Sequence, residues 1–442
     1  MCKNIAQNRK YVILLVTEDT NMLLSLKVNN CMIFNQEVEF SMQANMHYKK
    51  FSSNLFSSTN INVLKSAIIY GPNNSGKTNF VKIIRTIKGI MLNQGNKLIG
   101  NIFNDDHIID CSISFLDNDH IYSLTIKYDE SSNEYIYERF SELIYDKNNH
   151  IRTEDWLLRD VIKREYRSKD RQLTKAMKIA AKNNLLIYLI DTSTFEVLNE
   201  IKNIIVSFAS KIDVIDMNNV PIGKTIEMLK KSESEHKKIA DFVLNSDLYM
   251  DDYKYISDDE LRSRLTIINN ENDSPQENVL KSSASLNEMM HLVSVYKGVM
   301  MPSLFYDSTG TKKMAALASY VIDALENDRI LIVDELDNSL HFRLTRAIIA
   351  MFNNELNIKA QLIATVHDIS LLDCQKLFRK EQIWFTHKNT EGVYLYSLAD
   401  FTAKEDGIRD TSDLIKKYKE GIFGALPEPD LFKSLLEATH HE

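Results

Sequence analysis

Closely spaced cysteines are missing from this sequence. Its four cysteines stand at positions 2, 31, 111 and 374, and no two of them form a Cys-x-x-Cys pair. This spacing supports neither a disulfide framework nor a zinc site. Because disulfides accumulate in oxidising compartments, the pattern fits a protein of the reducing cytoplasm, which is where we expect this chain.

A long hydrophobic run and an overall excess of positive charge are missing as well. The apolar run YVILLV at 11–16 has only six residues, too few to span a bilayer or to form a signal peptide. We therefore expect no association with a membrane. The formal net charge is −8 and the pI is about 5.8. These values argue against a surface that coats nucleic acid throughout, and they leave room for a local basic patch.

The composition is that of a globular protein with more than one domain. The 442 residues are 44% hydrophobic and 26% charged, and a chain of this length forms two or three domains or one domain with a large insertion. From shifts in sequence pattern we predict an N-terminal extension at 1–21, a first lobe at 22–150, a helical insertion (a lid or short coiled arm) at 151–300, a second lobe at 301–424 and a tail at 425–442.

Alternating strands and helices predict an α/β fold. From residue 301 onward, apolar strand-like runs alternate with helical spacing, which indicates a mostly parallel sheet with helices on its faces. A strand, loop and helix at 67–91 belong to the same sheet, so the charged, helix-like middle is an insertion. Residues 108–145 read as an antiparallel β-meander with short polar turns.

A glycine-rich loop joins a predicted strand to a predicted helix. GPNNSGKT at 71–78 matches the phosphate-loop pattern G-x-x-x-x-G-K-[ST], and the flanking strand and helix argue against a chance glycine-rich turn. The helix N-terminus and inward N–H groups favour phosphate. We predict that Lys77 contacts the outer phosphates of a nucleotide and that Thr78 binds Mg²⁺. The predicted nucleotide-binding residues are Gly71, Pro72, Asn73, Asn74, Ser75, Gly76, Lys77, Thr78 and Asn79.

Two adjacent carboxylates follow an apolar run later in the chain. ILIV at 330–333 predicts a buried strand, and Asp334 and Glu335 stand at its end. Asp334 can bind Mg²⁺, and Glu335 can polarise an attacking water as a general base. A solvated strand end would explain two acids by themselves. Together with the phosphate loop, the nucleotide-binding interpretation is favoured.

Two further segments carry candidate nucleotide contacts. Ser308 and Gly310 lie in a small-residue turn before an amphipathic helix, which is a second candidate anion site. His367 ends an apolar strand some thirty residues after Glu335. A lone histidine is more often a packed or surface residue, but this position favours a catalytic role.

The order of these motifs resembles the ABC-type ATPases, in particular their soluble SMC and OLD-nuclease branch. DNSLH after Glu335 is similar to a D-loop, and ATVHD is similar to the strand that carries the switch histidine. A clear glutamine for the Q-loop is missing, and 102–107 is where it would be expected. The opening at 23–42 and the segment at 381–401 resemble bacterial AAA-family ATPases of phage-defence and abortive-infection operons, such as the AbiL and RloA types, the PARIS ATPase AriA and the Septu ATPase PtuA.

The resemblance implies an ABC-type ATPase head with an antiparallel β-subdomain and bound ATP and Mg²⁺. It also implies a homodimer or higher homo-oligomer, in which Ser308 and Gly310 of one subunit cap the γ-phosphate held by the other and His367 is the switch histidine. OLD-type relatives carry a C-terminal nuclease, and no second acidic cluster of that kind is evident here. We therefore expect a separate toxin or nuclease effector.

Other functions stay open at this point. An SMC-type DNA-repair ATPase would show DNA-stimulated hydrolysis. A transporter subunit fits poorly with the Ser308 segment and the β-meander. A scaffold that binds ATP without turnover is made less plausible by Glu335.

A local excess of positive charge lies within 159–182. Nine Lys and Arg residues stand against three acids in this stretch, although the whole chain is acidic. It could contact nucleic acid, or a phage protein that triggers a defence response. A solvated helix face is the alternative. The basic residues are 159, 163, 164, 167, 169, 171, 175, 178 and 182.

Overall fold

The computed structural model describes residues 21–45, 48, 50–57, 61–145, 151–246, 249–261, 288–374, 376–409 and 412–426. Residues 1–20 of the predicted extension, 262–287 of the predicted insertion and 427–442 of the predicted tail lie outside these ranges. The chain divides into two units. Residues 1–212 and 365–442 form the first, and residues 213–364 form the second.

The first unit contains two groups of strands and several helices. Its strands are β1 (Asn21–Asn29), β2 (Val38–Ser41), β3 (Leu55–Ser57), β4 (Asn62–Leu64), β5 (Ser66–Tyr70), β6 (Ile108–Asp117), β7 (His120–Asp129), β8 (Glu134–Tyr145), β9 (Ile151–Asp160) and β10 (Glu165–Ser168), and, after the second unit, β17 (Ile383–Lys388) and β18 (Val393–Ser397). Its helices are α1 (Lys77–Met91), α2 (Arg171–Ile179), α3 (Leu186–Leu189), α4 (Glu196–Ser210) and, near the end, α10 (Leu414–Lys419).

The second unit contains the remaining described elements. Its strands are β11 (Ile212–Asp216), β12 (Asp252–Tyr255), β13 (Leu292–Tyr296), β14 (Val299–Pro302), β15 (Ile330–Asp334) and β16 (Gln361–Thr365). Its helices are α5 (Gly223–Lys231), α6 (Glu233–Leu244), α7 (Ser303–Tyr306), α8 (Thr309–Glu326) and α9 (Phe342–Phe352).

A seven-stranded antiparallel sheet dominates the first unit, in the order β10-β9-β8-β7-β6-β1-β2. Alternate residues of β6 are buried, as expected for a sheet with one face on the core. Phe115 of β6 stacks on Phe208 of α4 with ring centroids 4.0 Å apart. The predicted β-meander at 108–145 is confirmed.

The prediction of helix from residue 151 is wrong for the first part of that range. Residues 151–160 and 165–168 are strands β9 and β10, which extend the meander. The many charges suggested a solvated helix, but on this sheet they pair across strands. Asp155 bonds Arg139 Nε at 2.6 Å, and Lys169 Nζ lies 2.7 Å from Glu154. Cross-strand ion pairs stabilise a sheet surface that the sequence alone presents as a run of charges.

A second group of strands in the first unit delivers the phosphate loop. β5 pairs in parallel with β17, with Ile68 opposite Ile383 and Tyr70 opposite Phe385, and β17 pairs antiparallel with β18. All five residues of β5 are buried, which matches its continuous apolar sequence. Because β5 and β17 run in the same direction, the loops after them emerge at the same edge.

The second unit combines a strand group, a small sheet and a helical cluster. β15 lies between β11 and β16 and pairs in parallel with β16, while β12, β13 and β14 form an antiparallel sheet. Ile226, Ile239 and Ala315, from α5, α6 and α8, share one hydrophobic core. The alternation predicted from residue 301 begins with an apolar run, MPSLFY at 301–306, that is expected to be a strand; residues 303–306 of it form α7 instead. The α/β class predicted from the sequence is confirmed.

The described residues carry neither a disulfide nor a membrane span. Cys31, Cys111 and Cys374 are buried free thiols, and burial raises the pKa of Cys31 to about 12. Within the described ranges, every helix is too short or too polar to cross a bilayer.

Candidate functional site

Two glycines shape the phosphate loop, and a larger residue at either position would force the neighbouring atoms or the backbone to move. Gly76 has φ +106°, a left-handed conformation, and it is the N-cap of α1, which begins at Lys77. At Gly71 a Cβ would lie 2.1 Å from Thr386 Oγ1 and 2.7 Å from the Thr386 carbonyl oxygen. The first glycine therefore lets the loop pass against β17, and the last one turns the chain into the helix.

Lys77 lies across the loop that it follows. Its Nζ donates to the carbonyl oxygens of Gly71 at 2.5 Å and Pro72 at 3.0 Å, and the residue is only 5% exposed. An ammonium held at the start of a helix adds a full charge to the partial charge of the helix N-terminus. Thr78 and Asn79 follow in the first turn and are partly buried. The loop thus ends in a buried positive charge at the N-terminus of α1.

Hydrogen bonds within the first unit fix the middle of the loop. Ser75 Oγ lies 2.7 Å from the Pro72 carbonyl oxygen and 2.6 Å from Thr386 Oγ1. Thr386 Oγ1 in turn lies 3.3 Å from the Tyr70 carbonyl oxygen, at the end of β5. Thr386 is a supporting residue that the sequence patterns did not identify, because its role depends on the pairing of two strands that are over 300 residues apart in sequence.

His367 lies beside the phosphate loop. The backbone N–H of Val366 donates to the Ile69 carbonyl of β5 at 3.0 Å, and His367 follows directly with an exposed side chain. His367 and the loop line one open pocket with a volume of about 1180 Å³. The pocket lining includes residues 71–75, His367, Ile369, residues 387–390, Tyr418, Gly421, Gly424 and Leu426.

Asp334 and Glu335 stand at the end of β15 in the second unit. The four apolar residues before them are fully buried, as predicted, and Asp334 is 4% exposed. Glu335 is partly buried and has φ +56°, in the left-handed region. A non-glycine residue in that region costs of order 1–3 kcal/mol and persists only where the surroundings enforce it. Such strain is typical of functional sites.

Glu335 accepts hydrogen bonds from two side-chain amides. Asn218 Nδ2 donates to Glu335 Oε2 at 3.0 Å, and Asn338 Nδ2 donates to the same oxygen at 2.9 Å. The backbone N–H of Met217 donates to the Asp334 carbonyl at 3.0 Å, which places the turn after β11 beside Glu335.

Ser308 and Gly310 begin helix α8 in the same unit. Ser308 is the N-cap of α8, and its Oγ accepts from the N–H of Thr311 at 3.1 Å. A Cβ on Gly310 would lie 2.8 Å from the Ser339 carbonyl oxygen. The start of α8 and the turn after Glu335 are therefore in close contact, which explains the glycine.

Asp307, which belongs to no recognisable sequence motif, anchors the segment that precedes this turn. It is buried, and its carboxylate accepts from Ser294 Oγ at 2.5 Å, Ser303 Oγ at 2.6 Å and the Tyr296 hydroxyl at 3.0 Å. These hydroxyls come from β13 and α7, so the small sheet fixes the chain one residue before Ser308.

The basic stretch at 159–182 is divided between structural and surface roles. Arg159 is 1% exposed and forms an ion pair with the buried Glu138, so it does not belong to a binding surface. Arg167, Lys169 and Lys182 are paired with Glu165, Glu154 and Glu134. Arg167 and Lys169 are exposed in spite of these pairs, and so are Lys163, Arg164, Arg171, Lys175 and Lys178.

Only two side chains, those of Thr78 and Asp334, are predicted to bind Mg²⁺. Among the described residues, no group of three or more His, Cys, Asp or Glu side chains is arranged to hold a metal ion. Taken each by itself, the hydroxyl of Thr78 and the carboxylate of Asp334 are ligand types that Mg²⁺ accepts when waters and nucleotide phosphates fill its other positions.

Comparisons with known proteins give one family. A family model with the description "AAA domain, putative AbiEii toxin, Type IV TA system" matches residues 66–373, which is more than half of the chain. No curated protein matches the sequence.

Two solved structures of SMC heads are similar to the chain at 11% identity, and each covers 85% of it. The crystal structure of the SmcHead bound to the C-winged helix domain of ScpA has a TM-score of 0.41 with 97% of that chain covered. The SMC head domain from Thermotoga maritima has a TM-score of 0.37 with 98% covered. On the extent of the family match, the chain belongs to the AAA-domain family of the AbiEii type.

Proposed function

We propose that this protein binds ATP with Mg²⁺ at the phosphate loop and hydrolyses it. The observation that carries the proposal is the placement of Lys77, a buried ammonium held across a glycine-shaped loop at the N-terminus of α1. The membership of the AAA-domain family supports it. The test is calorimetry with ATP and Mg²⁺, followed by phosphate release. Absence of both binding and release would refute the proposal.

Each predicted residue has a role in this proposal. Lys77 and the loop N–H groups hold the outer phosphates, while Thr78 and Asp334 hold Mg²⁺, which neutralises charge that develops on the phosphates. Glu335 removes a proton from the attacking water. The exposed imidazole of His367 lies beside the loop, where it can donate to the terminal phosphate.

We further propose that the protein is an ABC-type ATPase that works as a homodimer or higher homo-oligomer. Ser308 and Gly310 of one copy would cap the phosphate that Lys77 of another copy holds. Mixing Lys77→Ala with Ser308→Arg subunits should then restore activity, because one of the two sites in a mixed dimer has every wild-type part. Random pairing makes about half of the dimers mixed, so about a quarter of full activity is the ceiling for independent sites. Absence of any restoration would refute the shared site.

The biological role that we propose is an ATP-driven switch in bacterial anti-phage defence. The description of the family names an AbiEii toxin and a type IV toxin–antitoxin system, which supports a role in such a system. In our proposal the chain controls a separate toxin or nuclease. The test is phage plating on cells that carry the gene with its neighbours, compared with the same operon bearing Glu335→Gln. Equal plating in both strains would refute the role of hydrolysis in defence.

A DNA-binding ATPase of the SMC type is the second candidate. The observation that favours it is the group of exposed cations on and before α2, where Arg171, Lys175 and Lys178 recur at helical spacing. Nucleic-acid contacts of this kind are electrostatic and weaken steeply with salt. DNA that stimulates hydrolysis at low salt, with loss of the effect in Arg171→Ala/Lys175→Ala, would favour this function over the effector switch.

A further inference from the structure

We propose that Asn338 and Asn218 are positioning residues for Glu335, and that Lys313 makes this positioning depend on helix α8. The inference rests on the proposed role of Glu335 as the general base. It adds a physical link, within the second unit, between the helix that begins at Ser308 and the carboxylate that activates water.

The link is a continuous chain of hydrogen bonds. Lys313 Nζ, on α8, donates to Asn338 Oδ1 at 2.8 Å and to Ser339 Oγ at 3.2 Å. Asn338 Nδ2 donates to Glu335 Oε2 at 2.9 Å and to Asn218 Oδ1 at 2.8 Å. Asn218 Nδ2 completes the group by donating to the same Glu335 oxygen at 3.0 Å.

The chemistry of the donors fixes the orientation of the Asn338 amide. An ammonium can only donate hydrogen bonds, and an ionised carboxylate can only accept them. The amide must therefore turn its oxygen to Lys313 and its nitrogen to Glu335. A lysine on α8 thus selects the amide rotamer that holds the carboxylate, and a hydrogen bond to a charged group is among the stronger ones in proteins.

The backbone of this turn needs such support. Glu335 has φ +56° and Ser339 has φ +63°, so both ends of a five-residue turn are in the left-handed region. The N–H of Asn338 also donates to the Glu335 carbonyl at 2.8 Å, which closes the turn. Strained backbone of this kind is retained only where side-chain contacts enforce it. The amides and Lys313 supply those contacts.

The consequence is mechanical coupling between two parts of the site. Gly310 packs against the Ser339 carbonyl, and Lys313 lies one turn further along the same helix. When α8 moves, Lys313 moves with it, and the Asn338 amide oxygen loses its charged donor and keeps only the hydroxyl of Ser339, 2.9 Å away. Glu335 would then be held by both amides in their full hydrogen-bonded arrangement only while α8 stays packed against the turn. In the proposed dimer, contact between the start of α8 and the phosphate held by another copy would in this way determine when Glu335 activates water.

The kinetic test compares variants along the chain of bonds. Asn338→Ala should lower kcat about tenfold or more, the effect of one lost hydrogen bond to a charged group, with KM for ATP unchanged. Lys313→Met should give a smaller loss, and Lys313→Arg should restore activity because guanidinium also donates to the amide oxygen. The double variant Lys313→Met/Asn338→Ala should be no worse than Asn338→Ala alone. Lys312→Met is the matched control, since Lys312 Nζ bonds the Leu304 carbonyl.

Amide hydrogen exchange gives a readout that does not need turnover. Exchange in a peptide that covers 335–341 should rise in Asn338→Ala and Lys313→Met and stay at the wild-type level in Lys312→Met. Glu335→Gln should also leave it unchanged, because the glutamine oxygen can still accept from both amides.

The outcomes separate this inference from the proposed function. Unchanged exchange in Asn338→Ala, or raised exchange with unchanged kcat, would overturn the positioning role. A fall in kcat with a parallel rise in KM would also overturn it, since that pattern reports lost binding. A different outcome is that the variants show the expected changes in exchange while the wild-type protein does not hydrolyse ATP. That result would refute the proposed function, and the coupling of α8 to the turn would stand.

Discussion

Replacement of Lys77 by alanine should remove nearly all affinity for ATP while leaving the fold in place. The ammonium is buried at the start of α1, and its partners, the carbonyls of Gly71 and Pro72, belong to the same loop. A nucleotide phosphate would compete with these carbonyls for the same charge. The variant therefore loses the main cation of the proposed site, and the glycine-shaped backbone stays.

The expected magnitude follows from electrostatics. A unit charge pair at 4 Å in an effective dielectric of 20 gains about 4 kcal/mol. An ammonium has three N–H donors, and the two carbonyls occupy two of them, so the third can meet the phosphate and only part of the gain is offset by weakening of the carbonyl hydrogen bonds. A net loss of roughly 2–4 kcal/mol corresponds to an affinity between about 30-fold and 1000-fold weaker.

The assay is calorimetry with Mg²⁺ and a non-hydrolysable ATP analogue, so that turnover does not distort the isotherm. Lys82→Ala is the matched control, because Lys82 is an exposed lysine on the same helix and has no place in the loop. Thermal unfolding of both variants should stay close to that of the wild type. An affinity of Lys77→Ala within threefold of the control would refute the assignment of the phosphate loop.

Three further predictions concern turnover, a close contact and the core. Glu335→Gln should still bind ATP, but its kcat should fall roughly 10²–10⁴-fold, and it should accumulate as an ATP-bound dimer that size-exclusion chromatography detects. Unchanged turnover would show that another group activates the water. Gly310→Ala should lower kcat and reduce the free energy of unfolding in urea by about 1–3 kcal/mol, because its Cβ would meet the Ser339 carbonyl at 2.8 Å. Unchanged kcat and unchanged stability would show that the turn moves aside at no cost. Glu138→Ala should lower the free energy of unfolding by about 3–5 kcal/mol, because it leaves Arg159 buried without its carboxylate partner. The double variant Glu138→Leu/Arg159→Met, which removes both charges, should lose less stability in the same urea unfolding experiment. Equal losses in the two variants would contradict this reasoning.

Local sequence patterns predicted the elements whose structure depends on near neighbours. The strand at 66–70, the loop and helix α1 follow from a continuous apolar run, two glycines and helical spacing, all within 26 residues. The buried strand before Asp334 follows in the same way from four apolar residues. In these cases the physical cause acts over one or two turns of chain, so it is visible in the sequence.

Charged strands were the main failure of sequence reasoning about the fold. Residues 151–168 carry alternating charges that fit a solvated helix equally well. Their strand conformation depends on partners in β8 and on ion pairs such as Arg139 with Asp155. The burial of Arg159 has the same origin, because its partner Glu138 lies on the neighbouring strand. Pairing between strands is a long-range property, and a single sequence does not display it.

By itself, the sequence determined the chemistry available at the candidate site: a phosphate loop with Lys77, two acids after a buried strand, and a histidine at a strand end. These features need only local backbone geometry and residue type. Only the tertiary structure decided which groups surround Glu335. Asn218, Lys313 and Asn338 lie up to 120 residues apart in sequence and meet at one carboxylate and its turn. Hydrogen bonds act over about 3 Å regardless of distance along the chain, and it is the folding of β11, α8 and β15 into one unit that brings these side chains within that range.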